Sequence, residues 1–267
     1  MAFTFFFRDA QTLELAIDDA LPSLRGRAFI HVWDAGCAHG PEPYTLAILL
    51  RERMSDYVFR NVRIHATDVD SSFAQPVTSG VFAHQEVQRV PPEIFQKYFQ
   101  PVSQPGKKGD SPHLCEAPAG PFRQMGTVPF FPYVQVVPEL RAKVTFSHHD
   151  LLSLAPIREG LSLIVCKNVL LHFDEAQRIE VLRMFHAALQ PRGILVMENT
   201  QKMPDSLARF FQQVAPHAQV YRKVEPSFVG HEAEEGVLHP HDRRRVDVPG
   251  DGSLPHFGKS HQQQTKG

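Results

Sequence analysis

Residues 28–44 read AFIHVWDAGCAHGPEPY, and this stretch decides the fold. Its first half, Ala28-Phe29-Ile30-His31-Val32-Trp33, is a short β-branched and aromatic run that stops at Asp34-Ala35-Gly36. That is the pattern of a buried strand entering a turn. Its second half sets Pro41-Glu42-Pro43 directly after Gly40, ahead of YTLAILLRERM. Proline in the first turn, with apolar spacing behind it, starts a helix.

The same alternation repeats outward from this stretch. Val62–Thr67 reads as a second strand closed by Asp68-Val69-Asp70, and Lys143–Phe146 as a third closed by His149-Asp150. Leu161–Cys166 is a fourth, closed by Lys167-Asn168. Asp174 opens a helix over EAQRIEVLRMFHAAL, Gln190-Pro191-Arg192-Gly193 ends it, and Ile194–Met197 is a fifth strand. Strands alternating with helices imply a parallel sheet covered on both faces.

Composition bounds the rest. With 28 basic and 29 acidic residues the net charge is −1, so no global field points to nucleic acid or an anionic membrane. The 3 cysteines, Cys37, Cys115 and Cys166, are too few for a disulfide framework and lack zinc-site spacing, so no metal is expected. The phenylalanine-rich N-terminus is broken by Arg8 and Asp9, far short of the about 18 apolar residues that span a bilayer, and lacks signal-peptide features. A cytoplasmic protein without direct membrane insertion is expected.

Residues 100–132 hold seven prolines and four glycines, which forbid long regular helix. The last 42 residues, from Pro226, carry five of the 15 histidines and too little apolar surface to offset chain entropy. They read as a disordered tail, leaving residues 1–225 as one catalytic unit.

In open α/β sheets ligands bind beyond the carboxyl ends of the strands. Here those ends carry a Gly36-Cys37-Ala38-His39-Gly40 loop after strand one and Asp68 after strand two. The loop has neither GxGxxG nor GK[ST], so a diphosphate grip is not indicated. A glycine loop followed by a ribose-binding carboxylate favours an adenosine-containing ligand without the diphosphate, and S-adenosylmethionine (SAM) fits that description. Cys37 and Cys166 read as buried packing thiols. His148 and His149, adjacent on a strand, point to opposite faces and do not form a pair.

These residues resemble the chemotaxis receptor methyltransferases, the CheR family. Thr4-Phe5-Phe6-Phe7-Arg8 matches the family's T-x-F-F-R, and residues 33–44 are similar to W-S-A-G-C-S-T-G-E-E-P-Y. Ala66–Asp70 matches A-T-D-I-D, Tyr98-Phe99 matches Y-F, Asp150-Leu151-Leu152 falls at N-L-L, and Val165–Phe173 matches F-C-R-N-V-L-I-Y-F. The resemblance runs from Thr4 to about Glu225.

It implies a Rossmann-like class I SAM-dependent methyltransferase fold with a small inserted antiparallel β-subdomain at 100–142, in which Tyr133–Val137 is one strand. It implies O-methylation of chemoreceptor glutamates, with S-adenosyl-L-homocysteine as product. Thr4, Arg8, Gly36, Glu42, Asp68, Asp150, Leu151, Lys167 and Asn168 would line the cofactor site, and Arg8, Lys167 and His172 would serve catalysis. Asp68 would take the ribose hydroxyls, Glu42 the ligand's amino group and Arg8 its carboxylate.

The chain also departs from the family. It starts three residues before Thr4, so the family's N-terminal helical domain is expected to be absent. Ala2 replaces an Asn, Pro41 a Glu, Lys167 an Arg and His172 a Tyr, and Glu198-Asn199-Thr200-Gln201 stands where the family has G-H-S-E. Lysine keeps the charge but loses the planar fork. Two alternatives stay open at this level: a methyltransferase for another protein or a small carboxylic acid, and a catalytically silent SAM or S-adenosylhomocysteine sensor.

Overall fold

The computed structural model describes residues 4–102 and 133–225. The expected tail from residue 226 and the proline-rich stretch 103–132 lie outside the described residues.

In chain order the described residues form α1 (Ala10–Leu24), β1 (Ile30–Ala35), α2 (Pro41–Arg53), α3 (Asp56–Phe59) and β2 (Val62–Asp68). These are followed by α4 (Ala74–Ser79), β3 (Val81–Ala83), α5 (Pro92–Tyr98), β4 (Phe99–Val102), β5 (Tyr133–Val136) and α6 (Pro138–Arg141). The remainder is β6 (Val144–His148), β7 (Leu161–Cys166), α7 (Glu175–Ala188), β8 (Leu189–Met197), β9 (Phe211–Ala215) and β10 (Ala218–Lys223).

Seven strands make one sheet in the order β6-β2-β1-β7-β8-β10-β9. The first five run parallel, with Ile30 opposite Val62, Val32 opposite Leu163 and Ile64 opposite Val144. Residues on alternate sides of β1 enter two different cores. Ile30 and Val32 join the side chains of α1 and α2, whereas Trp33 and Ala35 join those of α7. Burial on both faces matches the near-continuous apolar run of β7, whose six residues are all buried. Helix α2 is likewise enclosed: every residue from Pro41 to Leu50 is buried.

Three expectations change. Gln190–Gly193, expected as the turn that ends α7, lies within β8, at the irregularity between the Leu161–Leu189 and Leu163–Ile194 pairings. The sheet is mixed, because β10 lies antiparallel to both β8 and β9. Strand β9 exposes Gln212 and Gln213, and β10 buries Gln219 among apolar residues, so neither carries an unbroken apolar run or a clean alternation. Arg222 on β10 bonds both carboxylate oxygens of Asp19 on α1, tying the hairpin to the helical layer. The small antiparallel sheet has the order β3-β5-β4 and therefore recruits Val81–Ala83 from outside the expected 100–142 boundary. Three residues are too short a run to read as a strand in isolation.

Helix α7 begins where expected. Asp174 accepts the Gln177 amide at 2.8 Å while the Gln177 side chain accepts the Asp174 amide at 3.0 Å, a reciprocal cap. Asp174→Ala is expected to lower unfolding free energy by about 0.5–2 kcal/mol in urea titration, with Asp174→Ser retaining most of it.

Candidate functional site

From β1 the chain moves outward to β2 and β6, then returns to lay β7 on the other side of β1. Connections leave in opposite directions at this switch point, and the strand ends there open a cavity of about 700 Å³.

The loop after β1 forms one wall. Gly36 has φ +98°, and a Cβ on it would lie 2.1 Å from Val169 Cγ2, so no side chain fits. The Gly36 and Cys37 amides both donate to the Thr67 carbonyl, at 2.8 and 3.0 Å, fastening the loop to the end of β2. Ala38, at φ +48°, turns its amide onto Asp68 Oδ2 at 3.0 Å, and the Asp70 amide donates to Oδ1 at 3.0 Å. The Asp68 carboxylate is thereby fixed in orientation, and each oxygen retains a lone pair for a further donor. His39 pairs with Glu86 at 3.0 Å, linking the loop to the turn after β3. That partner, with the Ala83 amide, holds the Glu86 carboxyl below its usual range despite partial burial.

The N-terminal segment forms the opposite wall. Phe6 is fully buried and packs edge-on against Phe82 at 4.8 Å and Phe99 at 5.3 Å, anchoring the segment to the small sheet. The Phe7 amide donates to Thr45 Oγ1 on α2 at 3.1 Å. These contacts hold Thr4 and Arg8 on the cavity lining. Phe7 and Asp9, on either side of Arg8, and Asn168 across the cavity all adopt positive φ. Such conformations cost about 1–3 kcal/mol each and persist where surrounding contacts over-determine them.

At the floor, Lys167 Nζ lies 3.0 Å from Glu42 Oε2, 3.1 Å from Asp9 Oδ2 and 3.3 Å from the Arg8 carbonyl. Burial alone would lower the ammonium's pKa, but the two carboxylates more than offset it and hold it above the ordinary lysine value. The next amide, of Asn168, donates to buried Glu198 Oε2 at 3.1 Å. Asp150 caps the turn after β6 by accepting the Leu152 amide at 2.9 Å, setting Leu151 against the cavity.

All ten residues singled out from sequence, Thr4, Arg8, Gly36, Glu42, Asp68, Asp150, Leu151, Lys167, Asn168 and His172, line this one cavity. They come from five separate stretches of chain. The resemblance pairs Glu42 with a ligand, whereas here its carboxylate is already engaged by Lys167. His149, set aside from sequence as one of two adjacent strand residues, lies just beyond the end of β6 and also lines the cavity, edge-on to Trp33 and donating from Nε2 to the Ala155 carbonyl at 2.8 Å. Sequence reading missed Asp9, Asp34 and Glu198, acids around Lys167. An acid interrupting an apolar strand, as Asp34 does, is the signal that could have found one of them. Cys37 and Cys166 are buried and their thiols are pushed up by burial, as packing groups are.

Comparison with known proteins matches the family model described as "CheR methyltransferase, SAM binding domain" to residues 2–111 and 129–220. The chain is 28% identical over 208 residues to a chemotaxis protein methyltransferase of Escherichia coli K12, covering 78% of this chain and 63% of that protein. It is 24% identical over 205 residues to chemotaxis protein methyltransferase 2 of Vibrio cholerae, covering 75% and 62%. The chain thus spans under two thirds of the length of these relatives. Among solved structures, a methyltransferase from Geobacter sulfurreducens aligns with a TM-score of 0.44 at 12% identity, over 81% of this chain and 79% of that one.

Two substitutions test the construction of the site. Gly36→Ala is expected to destabilise by about 1–3 kcal/mol or to displace Val169, read by denaturant midpoint. Lys167→Met leaves the Glu42 carboxylate buried without its cation and is expected to cost about 3–5 kcal/mol at neutral pH. The loss is read from the denaturant midpoint.

Proposed function

The chain belongs to the CheR methyltransferase family, and from that membership we propose that it binds SAM in this cavity and methylates glutamate side chains of chemoreceptors. The observation that carries the reading is the Asp68 carboxylate, oriented by two loop amides at the end of β2 beside a glycine where no Cβ fits. An adenosine ribose presents two hydroxyl donors, and Asp68 has an acceptor for each. A cavity of about 700 Å³ accommodates a ligand of that size.

In this reading Asp68 takes the ribose hydroxyls, Leu151 and Leu152 supply apolar surface for the base, and Glu42 with Arg8 receives the amino-acid end. When bound, SAM supplies an electrophilic methyl group on a sulfonium centre. The acceptor is a glutamate carboxylate, ionised near neutral pH with a reference pKa of about 4.3, so the protein need hold no general base. Its work is alignment, and orientation of this kind accounts for several kcal/mol of barrier lowering. Arg8, Lys167 and His172 line the cavity, and in this reading they serve the transfer by orienting the reactants. The protonated, buried thiols of Cys37 and Cys166 are not nucleophiles. No helix among the described residues is long and apolar enough to cross a membrane.

Titration calorimetry with SAM and S-adenosylhomocysteine, followed by radiolabelled methyl transfer to receptor-containing membranes, tests donor and acceptor separately. Heat with both ligands and base-labile label on receptors are expected. Absence of heat overturns the reading, and binding without label removes the receptor as acceptor. Asp68→Ala is expected to abolish cofactor binding while leaving the fold intact by circular dichroism.

A further inference from the structure

Behind the cavity floor lies a carboxyl group with no part in the reading above. Asp34 sits near the end of β1 on the side facing α1 and α2, flanked in register by Ala66 on β2 and Val165 on β7. It is fully buried, and neither oxygen, taken as an acceptor, has a hydrogen-bond partner among the described residues. The charged and titratable groups facing it are Glu42 from the first turn of α2, Lys167 beyond β7, Asp68 from the end of β2, and the thiols of Cys37 and Cys166.

Charge balance decides its state. The Lys167 ammonium is already divided between Glu42 and Asp9, so an ionised Asp34 would place a further negative charge in a dry site with no donor to meet it. A proton removes both defects, because a carboxylic acid can donate where a carboxylate can only accept. Glu42 is the acceptor within reach. We propose that Asp34 is a neutral carboxylic acid at neutral pH whose O–H donates to Glu42, making it a positioning residue for the Glu42 carboxylate. Glu42 is then held from two sides, by Lys167 and by Asp34. The consequence for ligand binding rests on the preceding reading, in which Glu42 receives the donor's amino group. Burial and the neighbouring Glu42 carboxylate, in that order, push the Asp34 carboxyl well above the usual range.

A proton held in the folded state and lost from the unfolded chain above about pH 4 makes stability fall as pH rises. The folding constant of Asp34→Asn relative to the natural protein is therefore expected to grow about tenfold per pH unit above pH 4, up to the pH where Asp34 ionises. A ratio independent of pH overturns the proposal. Protein labelled with ¹³C at the aspartate carboxyl carbons keeps the test free of any variant. One carboxyl signal should remain at its protonated position at pH 7, and titration of every signal near pH 4 overturns the proposal. For the positioning role, Asp34→Asn should keep SAM affinity within about threefold, its amide N–H replacing the acid O–H, and Asp34→Ala should weaken it about tenfold. Wild-type affinity in Asp34→Ala overturns that role. If the natural protein binds no SAM, the reading of the cavity fails and the positioning role with it, while the stability and carboxyl-carbon arms still decide the proton.

Discussion

The ammonium of Lys167 holds together three parts of the chain that share no sequence neighbourhood. Its contacts reach Asp9 and the Arg8 carbonyl on the N-terminal segment, Glu42 on α2, and its own strand end after β7. A buried ion pair is weak evidence for stability, since desolvation of the charges offsets much of their attraction. Its value here is geometric. One point charge in a buried pocket fixes where two cavity walls meet, and breaking it removes the ammonium that faces the buried Glu42 carboxylate.

Around that floor the backbone adopts conformations it would otherwise avoid. Ala38, Asn168, Phe7 and Asp9 all have positive φ, and each lies on or beside the cavity lining. At Ala38 the reward is visible, because the turn aims an amide at Asp68 and sets the carboxylate's orientation before any ligand arrives. Pre-organised hydrogen bonding of this sort lowers the cost of ordering on binding. The same logic extends to Glu42 if Asp34 carries a proton: the amino-group acceptor is set before the ligand enters.

Legibility from sequence followed burial. β7 begins and ends where its apolar run predicts, because a strand covered on both faces must be apolar throughout, whereas β1 lies two residues later than its run at both ends and β2 ends one residue later. Asp174 announced α7 because a cap is a local device. The β9–β10 hairpin was illegible because glutamines break its apolar pattern, exposed on β9 and buried on β10 as Gln219. Val81–Ala83 becomes a strand when β5 arrives beside it from more than 50 residues away.

The sequence by itself determined the central α/β order, the glycine loop, the acid after the second strand and the family, since these depend on local periodicity and on motifs that survive as short strings. Only the folded chain shows that Lys167 spends its charge on Glu42 and Asp9, and that Asp34 is buried without a donor. The reason is physical. Charge state and hydrogen-bond satisfaction depend on which groups are brought within a few ångströms in a medium that excludes water, and strand pairing, not spacing along the chain, sets those distances.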